Sequence, residues 1–90
     1  MMDENGRVAV IGAGTMGNGI AHVFALAGYE VCLIDVDPEA LERAFATIGA
    51  NMDRQIKKGE IDPSAKMEAI KRIRGGTQLS EIGDVELIIE

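Results

Sequence analysis

The sequence is poor in the residues that mark several classes of protein. It has two Phe, one Tyr, no Trp and one Cys. A lone Cys cannot form an intramolecular disulfide, and Cys32 lies in an apolar run, which predicts a buried thiol. Lys and Arg number nine against 15 Asp and Glu, and the net charge of −6 argues against binding of nucleic acid or of a membrane surface. No long apolar run is present, so we expect no secretory signal, no membrane span and a cytoplasmic location.

What the sequence does contain favours one small α/β domain. Ninety residues suffice for a single domain, and the composition combines 47% hydrophobic residues with 11 Gly. This is typical of a close-packed core of small side chains rather than of a disordered chain. The apolar run over residues 84–90 predicts a buried strand, and the chain stops on it. We therefore expect residues 1–90 to be the N-terminal part of a longer protein.

The stretch VAVIGAGTMGNGI predicts a strand followed by a glycine turn and a helix. Gly12, Gly14 and Gly17 have the G-x-G-x-x-G spacing of dinucleotide-binding proteins. The first glycine allows a tight turn, the second lets the backbone approach a pyrophosphate, and the third lets the helix lie close to the strand. The pyrophosphate would sit at the helix N-terminus, which favours anions. The predicted cofactor-binding residues of this turn are Gly12, Ala13, Gly14, Thr15, Met16 and Gly17.

A second apolar strand, residues 30–34, ends at Asp35, about 20 residues after the turn, where an acid can reach the adenosine ribose. Residues 35–40 include Asp35, Asp37 and Glu39 but no Lys or Arg. A carboxylate about 4 Å from the 2′-phosphate of NADP would cost about 1 to 4 kcal/mol, so the sequence predicts NAD. The intervening helix is predicted to bury one apolar face, formed by Met16, Ile20, Val23, Phe24 and Ala27.

Two helices are predicted between the second and third strands. Asp37-Pro38 and Asp62-Pro63 are helix-start signals, because Asp caps a helix and Pro fits its first position. The second of these helices is expected to turn its apolar residues inward, and these are Ala65, Met67, Ala69 and Ile70. Residues 73–77 are a weaker third strand. The fold class is thus a Rossmann-type doubly wound parallel sheet, strand order 3-2-1-4, with a helical hairpin inserted between strands 2 and 3.

The glycine turn GAGTMG, the following GIA and the hairpin after Asp35-Val-Asp-Pro resemble the NAD-dependent 3-hydroxyacyl-CoA dehydrogenases, including bacterial 3-hydroxybutyryl-CoA enzymes. The resemblance covers residues 7–90 and implies an oxidoreductase of fatty acid or butyrate metabolism that uses NAD and an acyl-CoA substrate. It also implies a helical C-terminal domain, absent here, and a homodimer. By the same resemblance Glu90 lies beside the nicotinamide ribose. The family's catalytic residues follow the matched region, so none falls in this chain, which we expect to be inactive alone.

A substrate contact is also implied. Residues 54–74 are rich in Lys and Arg, and the family uses the first hairpin helix to contact the 3′-phosphate of coenzyme A. The matching positions are Asn51 and Lys58, with Arg54 one turn away. A solvated charged face is the structural alternative. The only histidine, His22, is expected to be a surface residue rather than a base.

Two other functions fit parts of the pattern. The glycine turn followed by Asp35 also fits the fingerprint of FAD-dependent oxidoreductases, although flavoproteins more often carry Glu at that position. The chain could also serve as a non-catalytic NAD-binding or structural module. No metal site is predicted.

Overall fold

A computed structural model describes residues 6–83, 85 and 87–90. These residues form a four-stranded parallel sheet with the three α-helices on one face. The elements in chain order are β1 (Arg7–Ile11), α1 (Thr15–Leu26), β2 (Glu30–Ile34), α2 (Pro38–Lys57), α3 (Pro63–Arg72), β3 (Ile73–Gly76), a short 3-10 helix (Leu79–Glu81) and β4 (Leu87–Ile89). The order across the sheet is β3-β2-β1-β4, which confirms the predicted α/β class, topology and inserted hairpin.

The two central strands are buried on both faces, as expected for a parallel sheet. Val8 and Val10 of β1 join Leu33 of β2 in the core beneath the helices. On the opposite face, Ala9 and Cys32 lie in a smaller cluster that also receives the half-buried Ile82 and Val85. The predicted burial of the Cys32 thiol is confirmed.

Both hairpin helices begin where the sequence predicts. The Asp37 side chain accepts a hydrogen bond from the backbone N–H of Glu39, and Asp62 accepts one from Ala65, so each Asp caps its helix. The predicted inward residues of α3 are correct for Ala69, which is buried, but wrong for Met67, which is 61% exposed.

The third strand forms with glycine at two of its four positions. Side chains from α2 and from the 3-10 helix occupy the space that a Cβ would need at these positions. A Cβ added at Gly75 would lie 3.0 Å from the Phe45 ring of α2, and one at Gly76 would lie 2.7 Å from the Glu81 carboxylate. That carboxylate accepts hydrogen bonds from the N–H groups of Thr77 and Gln78, which fixes the chain after β3. The strand therefore ends at Gly76, one residue earlier than predicted. The fourth predicted strand is observed over Leu87–Ile89, and residues 84 and 86 lie outside the described part.

The apolar face predicted for α1 is correct in part: Ile20 and Phe24 are partly buried and pack against the core, but the other three predicted residues do not. Met16 and Val23 are 79% and 65% exposed, and Ala27 is exposed as well, whereas Ala21 and Ala25 are completely buried. The physical reason is the closeness of α1 to β1: the completely buried positions of the helix carry the small Ala21 and Ala25, and the larger Ile20 and Phe24 are only partly buried.

His22 is also misplaced by the sequence prediction. It is 8% exposed and lies between α1 and α2. Its Nε2 is 2.7 Å from Oε1 of Gln55, so a polar partner on α2 compensates for its burial.

Candidate nucleotide-binding site

The glycine turn lies at the carboxyl end of β1, between the ends of the two neighbouring strands. Gly12 has φ +100°, a left-handed conformation that favours glycine, and its N–H donates to the carbonyl of Ile34 at 2.6 Å. The ladder between β1 and β2 thus extends into the turn. In β4, Ile89 pairs with Val10, which places Glu90 beside the last residue of β1.

Gly17 is required for the approach of α1 to the turn. A Cβ there would lie 1.8 Å from the carbonyl oxygen of Gly12, a distance that no side chain can tolerate. The absence of a side chain therefore sets the distance between the helix and the strand, as the sequence predicts.

Gly14 precedes α1 and borders open space. A Cβ built on it meets no atom of the described structure within 4 Å, and its φ of −69° is open to any residue. Local backbone geometry does not require glycine here. The open position instead fits the expected close approach of a cofactor.

The N-terminus of α1 differs from those of the hairpin helices. Within the described residues no side chain caps α1, and its first turn contains no acid. The first N–H groups of a helix have no partner within it, and the helix dipole adds positive potential. Thr15 and Met16, the first two residues of α1, are exposed there. This end of the helix is suited to an anion such as a pyrophosphate.

Asp35 is fixed against the glycine turn. Its Oδ2 accepts a hydrogen bond from the backbone N–H of Ala13 at 2.9 Å, and its Oδ1 accepts one from Asp37, also at 2.9 Å. These two bonds, the one from Ala13 foremost, lower the pKa of Asp35 below its usual 3.8, against a smaller opposing effect of desolvation. The carboxylate is therefore ionised and oriented at the edge of the cleft.

The structure thus brings together one group of predicted residues, those at the carboxyl edge of the sheet. They are Gly12, Ala13, Gly14, Thr15, Met16, Gly17, Asp35 and Glu90. In an open parallel sheet, ligands bind where the strand order reverses, which is here between β1 and β4. The residues present fit an NAD molecule whose pyrophosphate lies on α1 and whose ribose faces Asp35.

The predicted substrate residues form a second group, along α2. Asn51 and Arg54 lie three residues apart in α2, and Lys58, four residues after Arg54, caps the C-terminus of the helix, so all three lie on one flank. The Arg54 guanidinium donates a hydrogen bond to Oδ1 of Asn51, and Arg54 and Lys58 are exposed.

The other cations of residues 54–74 divide between structural contacts and solvent. Lys66 forms an ion pair with Asp53 at 2.7 Å, and Arg72 donates to the carbonyl of Ala25. In the described part of the chain, Arg54 and Lys58 form no such pair with a carboxylate.

Two features of the structure are not predicted from the sequence. One is Arg43, whose guanidinium lies 3.9 Å from the Asp37 carboxylate. Asp37 belongs to the acidic turn, which we define as residues 35–37 between β2 and α2. A search for cations that ends at residue 40 misses Arg43, and only its position about one helical turn into α2 could have indicated it. The other is the contact between His22 and Gln55, which depends on the packing of two helices.

Two further classes of site were searched for in residues 6–83, 85 and 87–90. There, no group of three or more His, Cys, Asp or Glu is arranged to hold a metal ion. No helix in this part of the chain is long and apolar enough to cross a membrane.

Comparison with known proteins gives a consistent result. Residues 7–90 match the family model described as "3-hydroxyacyl-CoA dehydrogenase, NAD binding domain". The chain is 48% identical over 84 residues to a 3-hydroxybutyryl-CoA dehydrogenase of Bradyrhizobium diazoefficiens, a match that covers 93% of this chain and 29% of the relative. It is 38% identical over 90 residues to a 3-hydroxyadipyl-CoA dehydrogenase of Escherichia coli, covering 100% of this chain and 19% of the relative.

Solved structures agree with this. The crystal structure of (S)-3-hydroxybutyryl-CoA dehydrogenase from Ralstonia eutropha has a TM-score of 0.87 and 35% identity, with 91% of this chain and 29% of that chain covered. FadB2 of Mycobacterium tuberculosis has a TM-score of 0.88 and 30% identity, with 91% and 29% covered. The chain spans less than a third of the length of the relatives it matches here.

Proposed function

Because this chain belongs to the family of NAD-binding domains of 3-hydroxyacyl-CoA dehydrogenases, we propose that it is the cofactor-binding part of such an enzyme. The cofactor is NAD. The reaction is the interconversion of 3-hydroxyacyl-CoA and 3-oxoacyl-CoA, in which NAD accepts the hydride from the hydroxyl-bearing carbon. The groups that move the hydroxyl proton are expected in a part of the enzyme beyond residue 90.

One observation carries the cofactor site: at the carboxyl end of β1, next to the reversal of strand order, an uncapped helix N-terminus lies beside a fixed carboxylate. The N-terminus of α1 would hold the pyrophosphate through its N–H groups. Asp35 is held on the Ala13 N–H, so its oxygens face the same cleft where the adenosine ribose would lie. Glu90, at the end of β4, is proposed to contact the nicotinamide ribose.

Calorimetric titration of the chain with NAD, and with NADP and FAD as competitors, tests this proposal. Gly14→Ala should lower NAD affinity by about tenfold, equivalent to about 1.4 kcal/mol, because the added methyl group occupies the space reserved for the pyrophosphate. It should not change the melting temperature, since a Cβ at Gly14 meets no described atom within 4 Å. Gly49→Ala, which adds the same methyl group on α2, is the matched control and should bind NAD normally. Equal NAD affinity in the two variants, or preferential binding of FAD, would contradict the site.

The α2 flank is proposed to bind the acyl-CoA substrate. Asn51, Arg54 and Lys58 combine an amide with two exposed cations, and the Arg54 side chain is oriented by its hydrogen bond to Asn51. Phosphate groups are recognised by such cations, especially by the fork of an arginine. We expect the 3′-phosphate of coenzyme A to be the bound group.

Lys58→Glu in the complete enzyme should raise the KM for acetoacetyl-CoA and leave the NAD affinity unchanged. Lys57→Glu makes the same charge change one residue away, at about 100° around the helix, and is the control. If the 3′-phosphate is the bound group, Lys58→Glu should discriminate against CoA but not against 3′-dephospho-CoA. An unchanged KM, or equal effects of the two variants, would refute the substrate assignment.

The complete enzyme is proposed to be a cytoplasmic homodimer that needs neither nucleic acid nor membrane. The −6 charge of the chain supports the last two points, since nucleic acids and cytoplasmic membrane surfaces are anionic. Light scattering on the complete enzyme would test the dimer, because a monomeric mass for the active species would contradict it.

A further inference from the structure

The acidic turn, which favours NAD, is also paired with a cationic side chain, that of Arg43. The two carboxylate oxygens of Asp37 have separate partners: Oδ1 accepts from the N–H of Glu39 at 3.0 Å, and Oδ2 faces the Arg43 guanidinium at 3.9 Å. The first contact caps α2, and the second keeps the guanidinium near the turn. Both side chains are largely exposed, at 69% for Arg43 and 52% for Asp37. Exposed pairs of this kind are weak, so Arg43 can leave Asp37 at little cost.

Arg43 also acts on Asp35. Its charge is among the influences that lower the pKa of Asp35, although it contributes less than the bonds from Ala13 and Asp37. The geometry agrees, because Asp37, the ion-pair partner of Arg43, also donates its N–H to Oδ1 of Asp35, so the guanidinium and both carboxylates belong to one turn. Asp35 is the group expected to face the ribose hydroxyls, so a phosphate on the 2′-hydroxyl would come close to Arg43 as well.

We infer that Arg43 is a specificity-determining residue, and that the choice between NAD and NADP is a balance of Asp35 against Arg43. This inference rests on the proposed NAD site. Asp35 repels a 2′-phosphate, whereas Arg43 offers it the charged fork that phosphates prefer. Asp35 dominates because two backbone bonds fix it in place, while Arg43 is exposed and already partly neutralised by Asp37. When the negative charge of Asp35 is removed, the Arg43 guanidinium is available to bind the 2′-phosphate of NADP, and no new residue is needed.

The test compares NADP and NAD binding by calorimetry in the wild type, Asp35→Asn, Arg43→Gln and the double variant. Asp35→Asn should strengthen NADP binding by about tenfold, the effect of removing one carboxylate near a phosphate at intermediate dielectric. Adding Arg43→Gln should weaken NADP binding again by about three- to tenfold, the range of an exposed charge-assisted contact. Arg43→Gln alone should change NAD affinity less than about twofold, since NAD has no 2′-phosphate.

Two further variants sharpen the result. Lys57→Gln neutralises another exposed cation of α2, at the far end of the helix, and should not affect NADP binding in the Asp35→Asn background. Asp37→Asn keeps a side-chain oxygen to cap α2 but frees Arg43, so it should strengthen NADP binding further in that background. Asp35→Ser serves in place of Asp35→Asn if the latter unfolds.

The outcomes separate the inference from the function on which it rests. Equal NADP affinity in Asp35→Asn and the double variant, with normal NAD binding by the wild type, overturns the role of Arg43 alone. An equal loss of NADP binding with Lys57→Gln also overturns it, because the effect would then be one of general charge. Failure of the folded wild type to bind NAD overturns the proposed cofactor site and this inference with it.

Discussion

Gly17→Ala is the most direct test of how the glycine turn is built. The added Cβ would lie 1.8 Å from the carbonyl oxygen of Gly12 and 2.9 Å from its carbonyl carbon. Favourable contacts between heavy atoms begin near 3.5 Å, so the oxygen is too close by about 1.5 Å or more. The obstructing atoms belong to the backbone and cannot rotate away. Either α1 must move off the sheet or the turn at Gly12 must shift.

The expected cost follows from two opposing contributions. Overpacking of a well-packed site costs about 1 to 3 kcal/mol, and a backbone obstruction belongs at the upper end of that range. Replacing Gly by Ala inside a helix returns about 1 kcal/mol. The net loss is therefore about 2 kcal/mol, a large part of the roughly 5 to 13 kcal/mol expected for a domain of this size. The melting temperature should fall by about 8 to 16 °C.

Gly19→Ala separates the two contributions. Gly19 lies on the same helix, and a Cβ there meets no described atom within 4 Å, so this variant gains helix propensity without the clash. Urea unfolding followed by circular dichroism should place the two variants about 3 kcal/mol apart in unfolding free energy. NAD affinity should fall only in Gly17→Ala. Stabilities within about 0.5 kcal/mol of each other would refute the geometry derived for the turn.

Three further results are expected. Gly49→Ala should stabilise the chain by about 0.5 to 1 kcal/mol in the same urea assay, because the added Cβ enters open space on α2; destabilisation would mean that α2 packs more closely than described. Gln55→Leu should cost about 1 to 3 kcal/mol by leaving His22 unsatisfied between the helices, while Gln55→Glu, which keeps an oxygen acceptor, should cost less; equal losses would contradict the hydrogen bond. The folded-state pKa of Asp35 lies below 3.8, so its stabilising contribution is complete above that pH and is lost as the pH falls towards the folded value. Asp35→Asn should therefore lose less stability than the wild type when urea midpoints are compared below about pH 4, and parallel pH profiles would contradict the bonds that hold this carboxylate.

The sequence predicts well those features that depend on short-range geometry. The N-terminal ends of α2 and α3 follow from Asp-Pro pairs, in which Asp caps the helix and Pro occupies its first position. The strand order follows from the βαβ connections, whose handedness and length leave few arrangements. The close contact between Gly17 and Gly12 is also implied by the glycine spacing, because the third glycine of the motif has no side chain and lets the helix approach its strand.

Burial on α1 is where the sequence pattern fails. A hydrophobic pattern gives most weight to large residues and so selects Met16 and Val23, but next to the close approach at Gly17 the completely buried residues are the small Ala21 and Ala25. Met16 and Val23 are exposed, whereas Ile20 and Phe24 are partly buried against the core. His22 is buried for a related reason: Gln55, 33 residues away, supplies the polar partner that a single helix does not show.

The amino-acid sequence by itself therefore determined the parallel sheet, the glycine turn, the inserted hairpin and the position of Asp35 after β2, because each is encoded in neighbouring residues. Only the tertiary structure decided which face of α1 is buried, how Asp35 is fixed by the Ala13 N–H, and that Arg43 stands beside the acidic turn. These features join residues from different elements, and their distances are set by how closely the helices pack on the sheet.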